Sequence, residues 1–297
     1  MTEIDDGGQR SDAMSDDAES PVRVAPNRRV AEEWALVLAT AGIEARMQPE
    51  DGRWVVSVPD AQVEPATVAL AAYDGDRAHA DDEPEPPKSE AGVVISAVLV
   101  AIYAATGPRA AYRETFRRGS AIAERIVDGE WWRAVTALTL HADAAHILGN
   151  TFIGLVFTTP VCRLLGPGVG TALILATGVV GNLIAAAVRR TASTSVGAST
   201  AIFGAVGILC GRAVVRAARR RTTGRPPWIP LAAGLALLAL LGTSERADLL
   251  AHATGFAVGL PLGAMTAGMP RPGRLVQGAL AAGSGLLVAV SWWLALR

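Results

Sequence analysis

The chain has 297 residues, 51% of them hydrophobic and 19% charged, with a mean hydropathy of +0.31. That is too apolar for an ordinary soluble protein, and one end is too charged for the chain to be membrane throughout. The formal net charge of −1 is a cancellation: residues 1–92 hold 21 of the 28 acidic residues and 8 of the 27 basic ones, a balance of −13, while the remainder carries +12.

In chain order, residues 1–21 are rich in Asp, Ser and Gly and poor in large apolar side chains, so a disordered tail is expected. They contain no basic stretch followed by an apolar core, so no cleaved signal peptide is read, and the first spanning helix is expected to act as the insertion signal. Residues 22–77 read as a small α+β module. Val30, Trp34, Leu38 and Ala41 recur at helical spacing between Arg28 and Gly42. Ile43 to Met47 and Arg53 to Val58 read as strands around Glu50-Asp51-Gly52, and Pro65 to Tyr73 as a second helix. Trp34 and Trp54 are assigned to the core of this module. Residues 78–92, with Asp81-Asp82-Glu83-Pro84-Glu85-Pro86-Pro87, form an acidic, proline-rich linker.

Beyond the linker, apolar segments of spanning length fall at about 91–107, 145–163, 168–188, 199–217, 227–242, 249–268 and 275–296, which predicts seven helices. Pro108 to Leu140 differs, with six arginines, four acids and the pair Trp131-Trp132, and is expected at the membrane interface. The arginine-rich loops after the fourth and sixth spans are assigned to the cytoplasm, which places the amino terminus there too and makes this a multi-pass protein of the cell membrane. Cys162 and Cys210 are not spaced as a metal pair and are read as packing residues.

Three places concentrate chemistry. In His141-Ala-Asp-Ala-Ala-His146-Ile-Leu-Gly-Asn150, His146 and Asn150 are four apart and share one helix face. Gly197-Ala-Ser199 opens the fourth span, where unpaired N–H groups favour developing negative charge. In Ala251-His252-Ala-Thr-Gly255-Phe-Ala-Val-Gly259, two glycines four apart let another helix approach closely. A serine heading a membrane helix is commonly only a cap. A histidine on another span changes that reading, because an intramembrane ionisable group needs a partner. Together these segments supply a nucleophile, a base and oxyanion donors. His141, His146 and His252 lack a clear carboxylate ligand, so neither metal nor cofactor is expected. Asp248, one turn before His252, is read as an interfacial charge and not as a third catalytic group.

Glu130-Trp131-Trp132-Arg133, the His141, His146 and Asn150 element, the Gly-x-Ser helix start and the Ala-His-x-x-Gly-x-x-x-Gly helix stand in an order and spacing that resemble the rhomboid family of intramembrane serine proteases. The resemblance covers roughly residues 93–270. It implies an all-α polytopic membrane protein with a rhomboid-like six-helix core (93–270), a C-terminal seventh helix (271–297) and the small soluble module ahead of them. It further implies Ser199 as nucleophile and His252 as base in a dyad, with His146, Asn150 and the Ser199 N–H as oxyanion hole. His141 would be structural, Phe203 would pack on the catalytic imidazole, and Trp132 and Arg133 would organise the first loop. The substrates implied are transmembrane segments of other proteins within the lipid bilayer. No nucleic-acid partner is expected, and the oligomeric state stays open. One departure is Thr200, where the family pattern usually has Gly; a β-branched residue there is expected to crowd the helix start or alter substrate approach. The alternatives are an inactive rhomboid-like protein that binds membrane helices, and a small polytopic transporter.

Overall fold

The computed structural model describes residues 18–81, 87–111, 113–189, 193–219, 226, 228–242 and 248–297. The described residues fall into two compact units, 18–81 and from 87 onward. The first contains β1 (Glu19–Ala25), α1 (Arg28–Thr40), β2 (Arg46–Glu50), β3 (Arg53–Pro59) and α2 (Val63–Asp81). The three strands form an antiparallel sheet in the order β1-β3-β2. Asp51 and Gly52, at φ 48° and 76°, make the two-residue turn between β2 and β3, where residues tolerant of positive φ match the strand twist. Asn27 starts α1 by accepting the Val30 N–H at 3.0 Å. Leu38, Val56, Val58 and Leu70 form the core, with Trp34 and Trp54 half-buried against it beneath the guanidinium groups of Arg23 and Arg28.

Two boundaries differ from the sequence reading. β1 begins inside the expected tail: its register shifts between Pro21 and Arg23, and its order comes from pairing with β3 and not from its own pattern. Residues 1–17 of that tail lie outside the described residues. α2 runs past Tyr73 to Asp81, into the expected linker, and Tyr73 and Arg77 on this stretch both reach Glu33 on α1, Arg77 at 3.2 Å. Residues 82–86 of the linker are also outside the described residues.

The second unit opens with α3 (Ala91–Thr106). The expected interfacial stretch folds into α4 (Glu114–Gly119), β4 (Ala121–Ile122), α5 (Ala123–Val127) and α6 (Arg133–Thr136). Then come α7 (Ala144–Leu165), α8 (Pro167–Arg189), β5 (Thr194–Ser195), α9 (Ser199–Arg219), α10 (Ile229–Gly242), α11 (Leu249–Thr266) and α12 (Arg274–Leu296). Among the described residues six helices are long and apolar enough to cross a membrane: α3, α7, α8, α9, α11 and α12. The fifth expected span, 227–242, is the 14-residue α10, about 21 Å long against an apolar layer of about 30 Å.

α9 is the central helix, buried without interruption from Thr200 to Ile208, as expected for a helix apolar on all sides. It meets α11 through glycines. A Cβ at Gly255 would strike the Thr200 carbonyl oxygen, one at Gly259 the Gly204 carbonyl, and one at Gly263 the Ile208 carbonyl. This backbone-to-backbone approach is the role the sequence reading gave Gly255 and Gly259. Cys162 and Cys210 are free and buried. α12 is held near its ends, by side chains and by a close approach of its backbone to α8, where a Cβ at Gly168 would strike the Gln277 carbonyl oxygen. Gln277 accepts from the N–H groups of Gly168 and Val169 at 2.7 and 2.9 Å and donates to the Leu165 carbonyl at 2.9 Å, closing both helix ends at the α7–α8 turn. At the other end Trp292 donates to Thr139 at 3.0 Å and Arg118 to the Leu296 carbonyl at 2.9 Å.

Candidate active site

The starts of α7, α9 and α11 converge on a cavity of about 690 Å³ whose lining includes His146, Asn150, Ser199, Phe203 and His252. Ser199 is the first residue of α9, where the first N–H groups of the helix have no intrahelical partner. Its Oγ lies 2.7 Å from Nε2 of His252, on the first turn of α11. His252 is buried, and Phe203 stacks on its ring with centroids 4.7 Å apart and planes inclined at 28°. This is the geometry in which a neutral imidazole accepts a hydroxyl proton. His252 Nδ1 is buried and has no hydrogen-bond partner among the described residues, so Asp248 does not complete a triad.

His146 enters from α7, whose start is capped by Asp143 accepting the His146 N–H at 2.8 Å. Its Nδ1 accepts from the Ala142 N–H at 3.3 Å, which leaves the proton of the neutral ring on Nε2 as a donor. That edge of the ring lies against Gly197. A Cβ at Gly197 would come within 2.7 Å of His146 Cε1 and Nε2, and the residue has φ 125°, so both space and backbone call for glycine. Gly197 donates to the Ala137 carbonyl at 2.9 Å, which ties the strand ahead of Ser199 to α6 and its extension. Asn150, one turn beyond His146, spends one amide N–H on the His146 carbonyl at 2.9 Å, and its Oδ1 is buried without a partner among the described residues.

His141 lies behind this surface, fully buried and edge-on to His146 with ring centroids 5.2 Å apart. Burial, reinforced by the neighbouring His146, pushes its pKa down to about 4, so the ring is neutral. Trp132 and Arg133 are not at the cavity. Arg133 is buried in the first loop, paired with Glu130 and donating to the carbonyls of Arg117 and Ser120 at 3.1 and 3.0 Å, and Trp132 meets Trp131 edge-on. β4 pairs with β5 through Ala121 and Ser195, so this loop braces the segment that leads to Ser199.

Two expectations need revision. Thr200 does not face the cavity: it is buried, and its methyl group fits where Gly181 and Gly255 leave room, since a Cβ at Gly181 would meet it at 2.8 Å. Paired glycines on α8 and α11 thus absorb the β-branched residue. Asp248 is more than an interfacial charge: it caps α11 by accepting the Ala251 N–H at 3.0 Å and grips Arg189 with both oxygens, one contact at 2.7 Å. Arg189 was not singled out from sequence. An arginine ending one span and an aspartate preceding another were the available signal. Among the described residues no group of three His, Cys, Asp or Glu side chains is placed to hold a metal ion.

Comparison with known proteins agrees with this architecture. Residues 128–268 match the family model described as the Rhomboid domain. Rhomboid protease GluP of Bacillus subtilis is 39% identical over 84 residues, 28% of this chain and 16% of that protein. Rhomboid-like protease 1 of Toxoplasma gondii is 32% identical over 143 residues, 46% of this chain and 48% of that protein. Rhomboid-like protease 2 of the same organism is 31% identical over 125 residues, 39% and 44% respectively. The chain thus spans less than half the length of each of these relatives. With this domain match, its membrane-length helices and its motifs in order, the chain is similar to rhomboid-family proteins over residues 128–268.

Proposed function

We propose that the chain is an intramembrane serine endopeptidase that cleaves transmembrane segments of other membrane proteins through a Ser199–His252 dyad. The observation that carries this reading is the 2.7 Å contact between Ser199 Oγ and His252 Nε2 in a cavity within a bundle of membrane-length helices. Neither group gains from an apolar surrounding unless it has the other. Ser199 attacks the peptide carbonyl as His252 takes its proton, and the tetrahedral oxyanion is held by the Ser199 N–H, His146 Nε2–H and the free N–H of Asn150. His252 then returns the proton to the departing amine, and water, activated by the same imidazole, releases the acyl-enzyme. A peptide bond inside a helix is shielded by its own side chains, so the substrate helix must unwind locally to enter.

The arginine distribution supports a cell-membrane protein with a cytoplasmic amino terminus. The amino-terminal unit carries none of the proposed catalytic groups. The chemistry calls for no metal or cofactor. Purified protein is therefore expected to cut a generic transmembrane substrate in liposomes, to lose cleavage in Ser199→Ala and His252→Ala while staying folded, and to be indifferent to a chelator. Near-normal turnover by Ser199→Ala would refute the dyad. Wild type that binds the substrate without cutting it would favour the inactive, helix-binding reading, and solute flux without cleavage the transporter.

A further inference from the structure

The cavity contains a charged pair that the proposed chemistry does not use. Arg189 ends α8 and Asp248 precedes α11, and both line the cavity that contains Ser199 and His252. Each charge complements the helix end it occupies, a cation at a C-terminus and an anion at an N-cap. The Asp248 side chain is 14% exposed and that of Arg189 28%, so the pair is largely withdrawn from water. Burial alone would raise the Asp248 pKa; the bonds from Arg189 and the Ala251 N–H outweigh it, and the Ser195 hydroxyl adds to them, so the carboxylate is held below its usual range and is ionised at neutral pH.

The placement of these partners matters more than their charge. Asp248 accepts from Ala251, the residue before His252, and its carbonyl accepts the His252 N–H at 3.0 Å. Ser195 lies four residues ahead of Ser199, on the strand braced by β4. Arg189 brings in the end of α8. One carboxylate therefore ties the turn that carries the base to a third helix, and Ser195, on the segment that leads to the nucleophile, lines the same cavity. We propose that Asp248, held by Arg189, is a positioning residue that keeps His252 and Ser199 in register for proton transfer. This rests on the dyad reading above. A misplacement on the order of 1 Å between reacting groups costs about 10²-fold in rate, so a loss of register is read in turnover before it is read in binding.

The test uses full-length protein and a fluorogenic transmembrane substrate in liposomes, at a temperature where every variant is folded. Asp248→Asn keeps an oxygen to cap α11 but loses the ion pair, and Arg189→Gln leaves the cap intact should the first variant fold poorly. Each is expected to lower kcat by about tenfold to a hundredfold with KM within about twofold of wild type. The double variant should be no worse than the poorer single, because both act through one contact. Arg189→Lys, which keeps the charge without the two-pronged grip, should fall between Arg189→Gln and wild type. Gln277→Ala, destabilised far from the cavity, should keep its kcat. Wild-type kcat in both Asp248→Asn and Arg189→Gln would overturn the proposal, as would an equal kcat loss in Gln277→Ala. Ser199→Ala separates the two claims: if it is inactive while the pair variants are normal, only the positioning role fails, and if it cleaves normally, the dyad reading fails and takes the proposal with it.

Discussion

α11 and α12 are both apolar and of membrane length, and both contain several glycines, yet the two helices use them in opposite ways. Gly255, Gly259 and Gly263 of α11 press against carbonyl groups of α9, whereas Gly278, Gly283 and Gly285 of α12 have open space where a Cβ would go. α11 is fixed by backbone contact along its length, and α12 by Gln277 at one end and Trp292 at the other. The helix that carries His252 has no room to shift. The outer helix is pinned at its ends. Glycine content alone therefore says nothing about packing; the partner surface decides whether it marks a close approach or merely a gap in the side-chain coat.

That contrast breaks most readily at Gly259. Gly259→Val adds a β-branched side chain where even a Cβ meets backbone, and should cost about 3 kcal/mol or more and abolish cleavage, read as a lowered melting midpoint and lost turnover. Acid should loosen the tightly packed end next. His141 is neutral in the fold with its pKa near 4, while an unfolded histidine titrates near 6.5, so the unfolded chain binds the extra proton between those values. Its contribution is complete above pH 6.5 and lost as pH falls toward 4, by about 3 kcal/mol in all. Melting midpoints measured across that range should show the fall in wild type, and His141→Gln should flatten it. Gln277→Ala removes three hydrogen bonds from α12 and should cost about 1 to 3 kcal/mol by the same measurement. Gly283→Ala should change the midpoint by no more than about 0.5 kcal/mol, since the site is open and alanine favours helix. Equal effects at Gly259 and Gly283 would erase the distinction between the two helices.

How far the sequence spoke for this molecule depended on the range of the interaction. Six spans, the Asp51-Gly52 turn, the shared face of His146 and Asn150, and the Gly-x-Ser helix start are local or periodic patterns, and each is present as an element or contact. The meeting of Ser199 and His252 is long-range, and only the ordered set of motifs pointed to it. The pairing of Arg189 with Asp248 crosses 59 residues and Gln277's grip on Leu165 crosses 112, and neither leaves a periodic trace. Thr200 looked like a disturbance of the site because its neighbours Gly181 and Gly255, which receive its methyl group, lie on other helices. β1 escaped notice because its order is supplied by β3.

The most direct test of the central claim is covalent labelling of the intact protein in liposomes with a serine-reactive fluorophosphonate, with the modified residue located by peptide mass spectrometry. The account predicts a single adduct on Ser199, absent in Ser199→Ala and slowed by at least about a hundredfold in His252→Ala, because the imidazole 2.7 Å away takes the hydroxyl proton as the phosphorus bond forms and fluoride leaves. An adduct on another serine, or labelling of Ser199 at an undiminished rate without His252, would contradict it.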